Sequence, residues 1–298
     1  MHDTLSPADK GQLLRRASYA SVLTASILIA VKLIAWLLTG SVSLLASLID
    51  SLMDSFASII NLFAIRYSLQ PPDAEHRFGH GKAEALAGLA QSVFIIGSAG
   101  FLLYRGIERL RYPQPLEAMG VGIAVMVFAI AVTLLLLVYQ RRIIRITGST
   151  AIRADSLHYA SDLLANVSVI LALLAASIGW GWADPVLAML VSLSIAYSAL
   201  RIGFDSVQQL LDRELPDEQK QKMVAIALRD KNVHGVHELR TRQSGQVPIV
   251  QLHLELDDNL PLILAHGIAD KVERNIRAEF PGAQVIVHQD PVGRKRVV

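Results

Sequence analysis

The chain has 298 residues, 52% of them hydrophobic and 18% charged, with a net charge of +2 at neutral pH and no cysteine. So apolar a balance excludes an ordinary soluble domain of this length, and the small charge gives no footing for a nucleic-acid partner. Without cysteine there are no disulfides, thiolate metal sites or cysteine nucleophiles, so any metal must be held by nitrogen and oxygen.

Met1–Gly11 is polar and lacks the charged-then-apolar layout of a cleaved signal peptide, so the first membrane helix is expected to be retained. The apolar residues then gather in blocks of roughly 20 or more, the length needed to cross a hydrocarbon core. Six spans are predicted: Ala17–Leu38, Val42–Ile65, Glu84–Leu110, Met119–Gln140, Ala151–Ile178 and Ala183–Val207. Gly, Pro or charge separates them. Lys10, Arg15, Arg16, Arg66, Arg77, Lys82, Arg141, Arg142, Arg145 and Arg153 flank one side of the membrane, and only Arg105, Arg109 and Arg111 the other. That asymmetry predicts cytoplasmic N- and C-termini, in agreement with an even number of spans.

Beyond Asp212 the pattern is that of a small α/β domain. Pro216–Arg229 reads as a helix opened by Pro216, Asp217 and Glu218. His237–Gln243 and Ile249–Leu256 read as strands around a Ser244-Gly245 turn. Leu262–Phe280 carries a helical apolar stripe through Ala265, Ala269, Val272 and Ile276, and Gln284–Asp290 is a last strand. The fold class expected is an α-helical membrane protein with six transmembrane helices plus a C-terminal α/β cytoplasmic domain of order α-β-β-α-β. The boundaries predicted are residues 12–208 for the transmembrane domain and 209–298 for the cytoplasmic one.

Ionisable residues inside a membrane span are costly and usually functional. The second span carries Asp50 and Asp54, and the fifth His158 and Asp162, each an i, i+4 pair on one helical face. Asp54 lies about 16 Å from the cytoplasmic end near Ile65, and Asp162 about 16 Å from the end near Ala151. The two helices run in opposite directions, yet the pairs meet near mid-bilayer. Three carboxylates and an imidazole suit a tetrahedral Zn²⁺. Crowded in a low dielectric, the carboxylates repel one another, so an empty site would hold protons that metal displaces. The competing reading, a set of buried polar links between helices, fits either pair alone better than two matched pairs at equal depth. Ser47, Ser51, Ser58 and Asn61 extend the polar face of the second span, as the wall of a watery path or as helix glue. Lys32, well inside the first span, snorkels or pairs with a neighbouring helix.

Two further groups lie outside the spans. Asp73, His76 and His80 fall within eight residues of one loop, either a second metal site or a polar cap for the next helix. In the C-terminal domain His288 and Asp290 share a strand face, His253 lies on the polar face of its strand, and His266 flanks the helical stripe. With His237 they favour a metal site.

The stretches GSVSLLASLIDSLMD, RYSLQPPDAEHRFGHGKAE, RADSLHYASD, LLDRELPDE, LRTRQSG and VIVHQDP together make the chain, from about Leu14 to Pro291, similar to the cation diffusion facilitator family and its bacterial zinc/iron efflux branch. The resemblance implies a transport site of Asp50, Asp54, His158 and Asp162, and a loop site of Asp73, His76 and His80. It implies a binuclear cytoplasmic site of His237, His253, His266, His288 and Asp290, with Asp290 bridging and Gln289 assisting. It also implies a Lys82/Asp212 charge pair interlocking a homodimer, a hydrophobic gate at Leu157, and a metallochaperone-like, ferredoxin-like cytoplasmic domain that senses metal.

The expected function is therefore proton-coupled antiport of divalent transition-metal cations out of the cytoplasm, Zn²⁺ first, then Cd²⁺ and Fe²⁺. The setting expected is a homodimer among the lipids of the bacterial inner membrane, without organic cofactor. The rivals are a passive metal channel and a membrane-anchored metal sensor. Four good ligands at one point would trap an ion in a channel, and an anchor needs no ligands at mid-bilayer. A metalloenzyme is disfavoured because no HExxH motif or open ligand position is present, and no phosphate-binding Gly-rich loop points to ATP drive.

Overall fold

A computed structural model of the chain describes residues 5–112, 120–178, 180 and 182–292. Six long helices come first: α1 (Pro7–Thr39), α2 (Val42–Ser68), α3 (Lys82–Arg111), α4 (Gly120–Thr147), α5 (Thr150–Ser177) and α6 (Ala183–Leu210). The six predicted spans each fall on one of them, apart from Met119 at the start of the fourth and Ile178 at the end of the fifth. Met119 lies outside the described residues. The largest difference is at α1, which begins ten residues before the predicted Ala17. Its first turns are polar, so hydropathy defines the apolar stretch and not the helix that continues through it. Gly40 and Gly148 end α1 and α4 with positive φ, and their N–H groups bond back to Trp36 and Ile144.

The chain divides into two compact units. One is Gln12–Gln70 with Ala83–Val207; the other comprises the described parts of Met1–Gly11, Pro71–Lys82 and Gln208–Val298. In the first, burial is inverted relative to a soluble protein. Leu38, Phe56, Phe63, Phe101, Leu135 and Phe204 face outward, while Ser18, Ser21, Ser51, Ser58, Asn61, Gln140 and Asp155 are buried. Such a surface is stable against hydrocarbon and not against water. Among the described residues five helices, α1 to α4 and α6, are long and apolar enough to cross a membrane. α5 is as long as α4 but carries Arg153, Asp155, His158 and Asp162.

The second unit holds α7 (Asp217–Ala227), β1 (Gly235–Ser244), β2 (Val247–Leu256), α8 (Leu262–Glu279) and β3 (Gln284–Pro291). β2 is central, antiparallel to β1 and parallel to β3, with α8 as the crossover. Gly245 and Gln246 form the hairpin loop, one residue beyond the predicted turn, with Gly245 at positive φ. Strand alternation turns Val250, Leu252, Leu254 and Leu256 toward a core shared with Met223 and Ile226 of α7 and Val272 and Ile276 of α8. The opposite face of the sheet keeps Gln251, His253 and Glu255 away from that core.

Candidate metal centres

In the first unit α2 and α5 bring Asp54, His158 and Asp162 together, with ligand atoms all within 4.8 Å of one another. His158 Nε2 lies 3.1 Å from Asp54 Oδ1 and 4.0 Å from Asp162 Oδ2. The imidazole is buried, with the rings of Phe94 and Tyr159 set edge-on at 6.1 and 5.6 Å. Asp50, one turn before Asp54 on α2, is exposed and outside this trio. Lys32 does not snorkel: its ammonium donates to Ser51 Oγ at 2.6 Å and to the Ser47 carbonyl at 3.1 Å, which fixes a cation on the Asp-bearing helix α2. Leu157 is half-buried against Ile95, Ala99, Ile195 and Ala199 of α3 and α6.

Asp73, His76 and His80 also converge within 4.8 Å. Asp73 Oδ1 accepts the backbone N–H groups of Glu75 and His76 at 2.9 and 2.6 Å, closing the loop on itself. Its other oxygen faces His80 Nε2 at 3.2 Å, and His76 Nδ1 lies 3.5 Å from Oδ1. The His76 N–H bond, foremost, holds the Asp73 carboxyl below the usual carboxylate range. The same carboxylate thus shapes the turn and offers a ligand atom, so the two readings of this loop are not exclusive.

The third cluster follows from sheet register. His237 pairs with His253, and His253 with His288, which lines three imidazoles across β1, β2 and β3 on the open face. Ring centroids are 5.3 and 4.5 Å apart. Asp290, two residues beyond His288, sends Oδ2 to His237 Nε2 at 3.0 Å and to His253 Nδ1 at 2.8 Å. Its Oδ1 lies 3.2 Å from His288 Nε2. The His253 bond, then that of His237, holds the Asp290 carboxyl below its ordinary range. His237, His253 and Asp290 satisfy the same 4.8 Å criterion. His266 does not join them; it is exposed on α8, 3.5 Å from Asp270. By alternation Gln289 belongs to the other face of β3.

Sequence reasoning missed several partners. Glu255 lies 3.1 Å from His237 Nδ1 and Glu238 3.5 Å from His253 Nε2. Glu255 was legible, two residues after His253 on the same strand face. Glu238 was not, because alternation puts it opposite His237; it sits at φ 46° in the bulge between His237 and Arg240. Asp212 accepts from Arg242 at 2.9 Å and forms an ion pair with Lys82 at 2.9 Å, and the Arg242 guanidinium lies over the Phe78 ring at 5.0 Å. Burial pushes the Asp212 carboxyl up, but the Lys82 and Arg242 bonds outweigh it and leave it below the usual range.

Comparison with known proteins finds relatives over nearly the whole chain. The family described as cation efflux transmembrane domain matches residues 18–211, and the one described as cation efflux protein, cytoplasmic domain, matches residues 215–292. The cation-efflux pump FieF of Klebsiella pneumoniae subsp. pneumoniae is 52% identical over 281 residues, 94% of each chain. That of Cronobacter sakazakii is 52% identical over 283 residues, 95% of this chain and 94% of the other. Among solved structures, the metal-bound C-terminal domain of the CzcD transporter from Thermotoga maritima is 22% identical with a TM-score of 0.26, covering 26% of this chain and 93% of that one.

Proposed function

The chain belongs to the cation efflux family, and from that premise we propose that it is a proton-coupled antiporter that exports divalent transition-metal ions, Zn²⁺ before Cd²⁺ and Fe²⁺. The observation that carries the reading is the Asp54–His158–Asp162 cluster, drawn from two apolar-flanked helices. A nitrogen and two carboxylates at this spacing, with Asp50 one turn away, fit a tetrahedral zinc set.

Metal arriving from the cytoplasm displaces protons from the cluster, because the ligands must be deprotonated to bind. Rocking of the helices opens the site outward; protons return to the carboxylates and His158, and the metal leaves. In this reading the chain sits in the bacterial inner membrane, with both termini cytoplasmic as the Lys and Arg asymmetry suggests. Asp50, Asp54, His158 and Asp162 are the transport ligands, with Leu157 beside them as a hydrophobic gate. Asp73, His76 and His80 take a second ion at the loop.

The His237–His253–His288 row with Asp290 binds cytoplasmic metal and raises transport when metal is abundant, which requires metal to prefer one conformation over another. The family of the cytoplasmic domain supports a homodimer; in this reading its interlock lies near Lys82 and Asp212, which pair here within one chain. A passive channel and an anchored sensor remain the alternatives that the experiment addresses.

Zinc-driven proton exchange in proteoliposomes separates them. The native chain is expected to exchange zinc for protons and Asp162→Ala to lose transport while still assembling as a dimer. Comparable transport by both would make the cluster structural.

A further inference from the structure

Four polar residues of α5 share one face in two interleaved i, i+4 pairs: Asp155 with Tyr159, and His158 with Asp162. Only the second pair belongs to the metal cluster. The first is tied into a thoroughly buried polar network of the membrane unit. Asp155 Oδ2 accepts the Ser21 hydroxyl of α1 at 2.5 Å and the Gln140 amide of α4 at 2.7 Å, and Gln140 also donates to Ser21 Oγ at 2.9 Å. Gln91 of α3 reaches Oδ1 at 3.5 Å. The Tyr159 hydroxyl donates to the Ser21 carbonyl at 3.0 Å and meets Ser58 Oγ of α2 at 2.9 Å. Asp155 and Gln140 are 0% exposed, and Ser21, Ser58 and Tyr159 1% each, so water cannot substitute for any of these partners.

The geometry of α2 against α5 is the telling feature. Ser58 follows Asp54 by one turn, and Tyr159 follows His158 directly. The two helices are therefore joined by two rungs: Asp54–His158 at 3.1 Å, made of metal ligands, and Ser58–Tyr159 at 2.9 Å, made of none. The second rung contains no metal ligand, so its own bond does not need an ion in the first. Its outer end is anchored through Ser21, which receives Tyr159 on its carbonyl and serves Asp155 with its hydroxyl. The rotation of α5 about its own axis, and its distance from α2, are thereby constrained beside the site by groups that are not themselves metal ligands.

We propose that Tyr159, through its bond to Ser58 and its anchor on the Ser21–Asp155–Gln140 network, is a positioning residue that fixes the spacing between Asp54 and His158 and so tunes which ion the site accepts. This rests on the reading of Asp54, His158 and Asp162 as transport ligands. A site held at one width discriminates between ions of different radius; a site free to spread does not.

Tyr159→Phe deletes the hydroxyl and keeps the ring that packs on Leu136 and Leu137. In proteoliposomes the variant is expected to raise the KM for zinc by about tenfold, the scale of lost support behind a metal ligand. Because a wider site suits the larger ion, the zinc-to-cadmium ratio of kcat/KM should fall. Ser58→Ala, which removes the other half of the rung, should do the same. The double variant should be no worse than either single one, as for two halves of one interaction. Native KM and native zinc-to-cadmium ratio in both variants would overturn the proposal, even with a lowered Tm, since stability alone is what a merely structural bond supplies. Should Tyr159→Phe fail to fold, Ser58→Ala decides by the same two readouts. Asp162→Ala run alongside keeps the two layers apart. If it transports, there is no site to position and the proposal falls with it; if it is inactive while Tyr159→Phe is native, only the positioning role falls.

Discussion

His158 is the residue on which the proposed proton exchange turns. It is buried between Phe94 and Tyr159, faces two carboxylates, and has a ring whose ordinary titration lies near neutrality. Aspartate alone can carry metal but titrates far from physiological pH in water, so the imidazole is the natural link between ion release and a proton gradient. Transport driven by a pH step should fall by about a hundredfold or more in His158→Ala, the low end of the loss general for a positioned proton-transfer group. The check is the pH dependence of zinc flux in proteoliposomes, and an unchanged proton-to-zinc ratio in the variant would remove His158 from that role. The His158–Asp162 pairing was readable from an i, i+4 spacing, as was Asp50–Asp54. That Asp54 and not Asp50 closes on His158 was not, because the spacing says nothing of how two helices are rotated toward each other.

Among elements, the start of α3, the end of α6 and strand β1 converge on Asp212, which lies between Lys82 and Arg242 with φ at 59°. The Lys82–Asp212 pair was expected from resemblance; Arg242 and its stacking on Phe78 were not, because nothing local in LRTRQSG says which arginine turns toward the loop. The sign of the pH dependence follows from the depressed Asp212 carboxyl. Its contribution is fully present above the ordinary carboxylate value of about 4 and is lost as pH falls through the lower folded value. Asp212→Asn should therefore lower the Tm of the detergent-solubilised protein at pH 7, and the gap between variant and native protein should close on acidification below about pH 4. A gap that stays constant through that range would mean the charge is not what the two cations hold. Half-exposed partners and salt screening keep the effect modest, a few degrees at most.

At the scale of the whole molecule the two units present the same kind of ligand in different settings. In the proposed function the first offers Asp54, Asp162 and the buried His158 to an ion in transit, and the second an open-faced row to an ion at rest. His253 sits at the centre of that row, in register with both neighbours and bonded to Asp290. His253→Ala should keep basal zinc transport, lose its stimulation by raised cytoplasmic zinc, and bind at least one fewer zinc ion per protomer by equilibrium dialysis. Retained stimulation with reduced zinc binding would separate the cytoplasmic metal from regulation.

The number and rough extent of the apolar helices, the α-β-β-α-β order and the candidate ligands were all local properties. Twenty apolar residues, a two-residue alternation or a three-to-four-residue stripe each report the environment that a segment needs, whatever its neighbours do. Tertiary structure decided what depends on partners distant in the chain. It chose Ser51 for Lys32, Ser58 for Tyr159, and Ser21 with Gln140 for Asp155. It curled Glu238 around a bulge, and it set His253 between His237 and His288 by strand register. A sequence states which polar groups must be satisfied once buried; only packing determines which of the many possible partners stands within 3 Å.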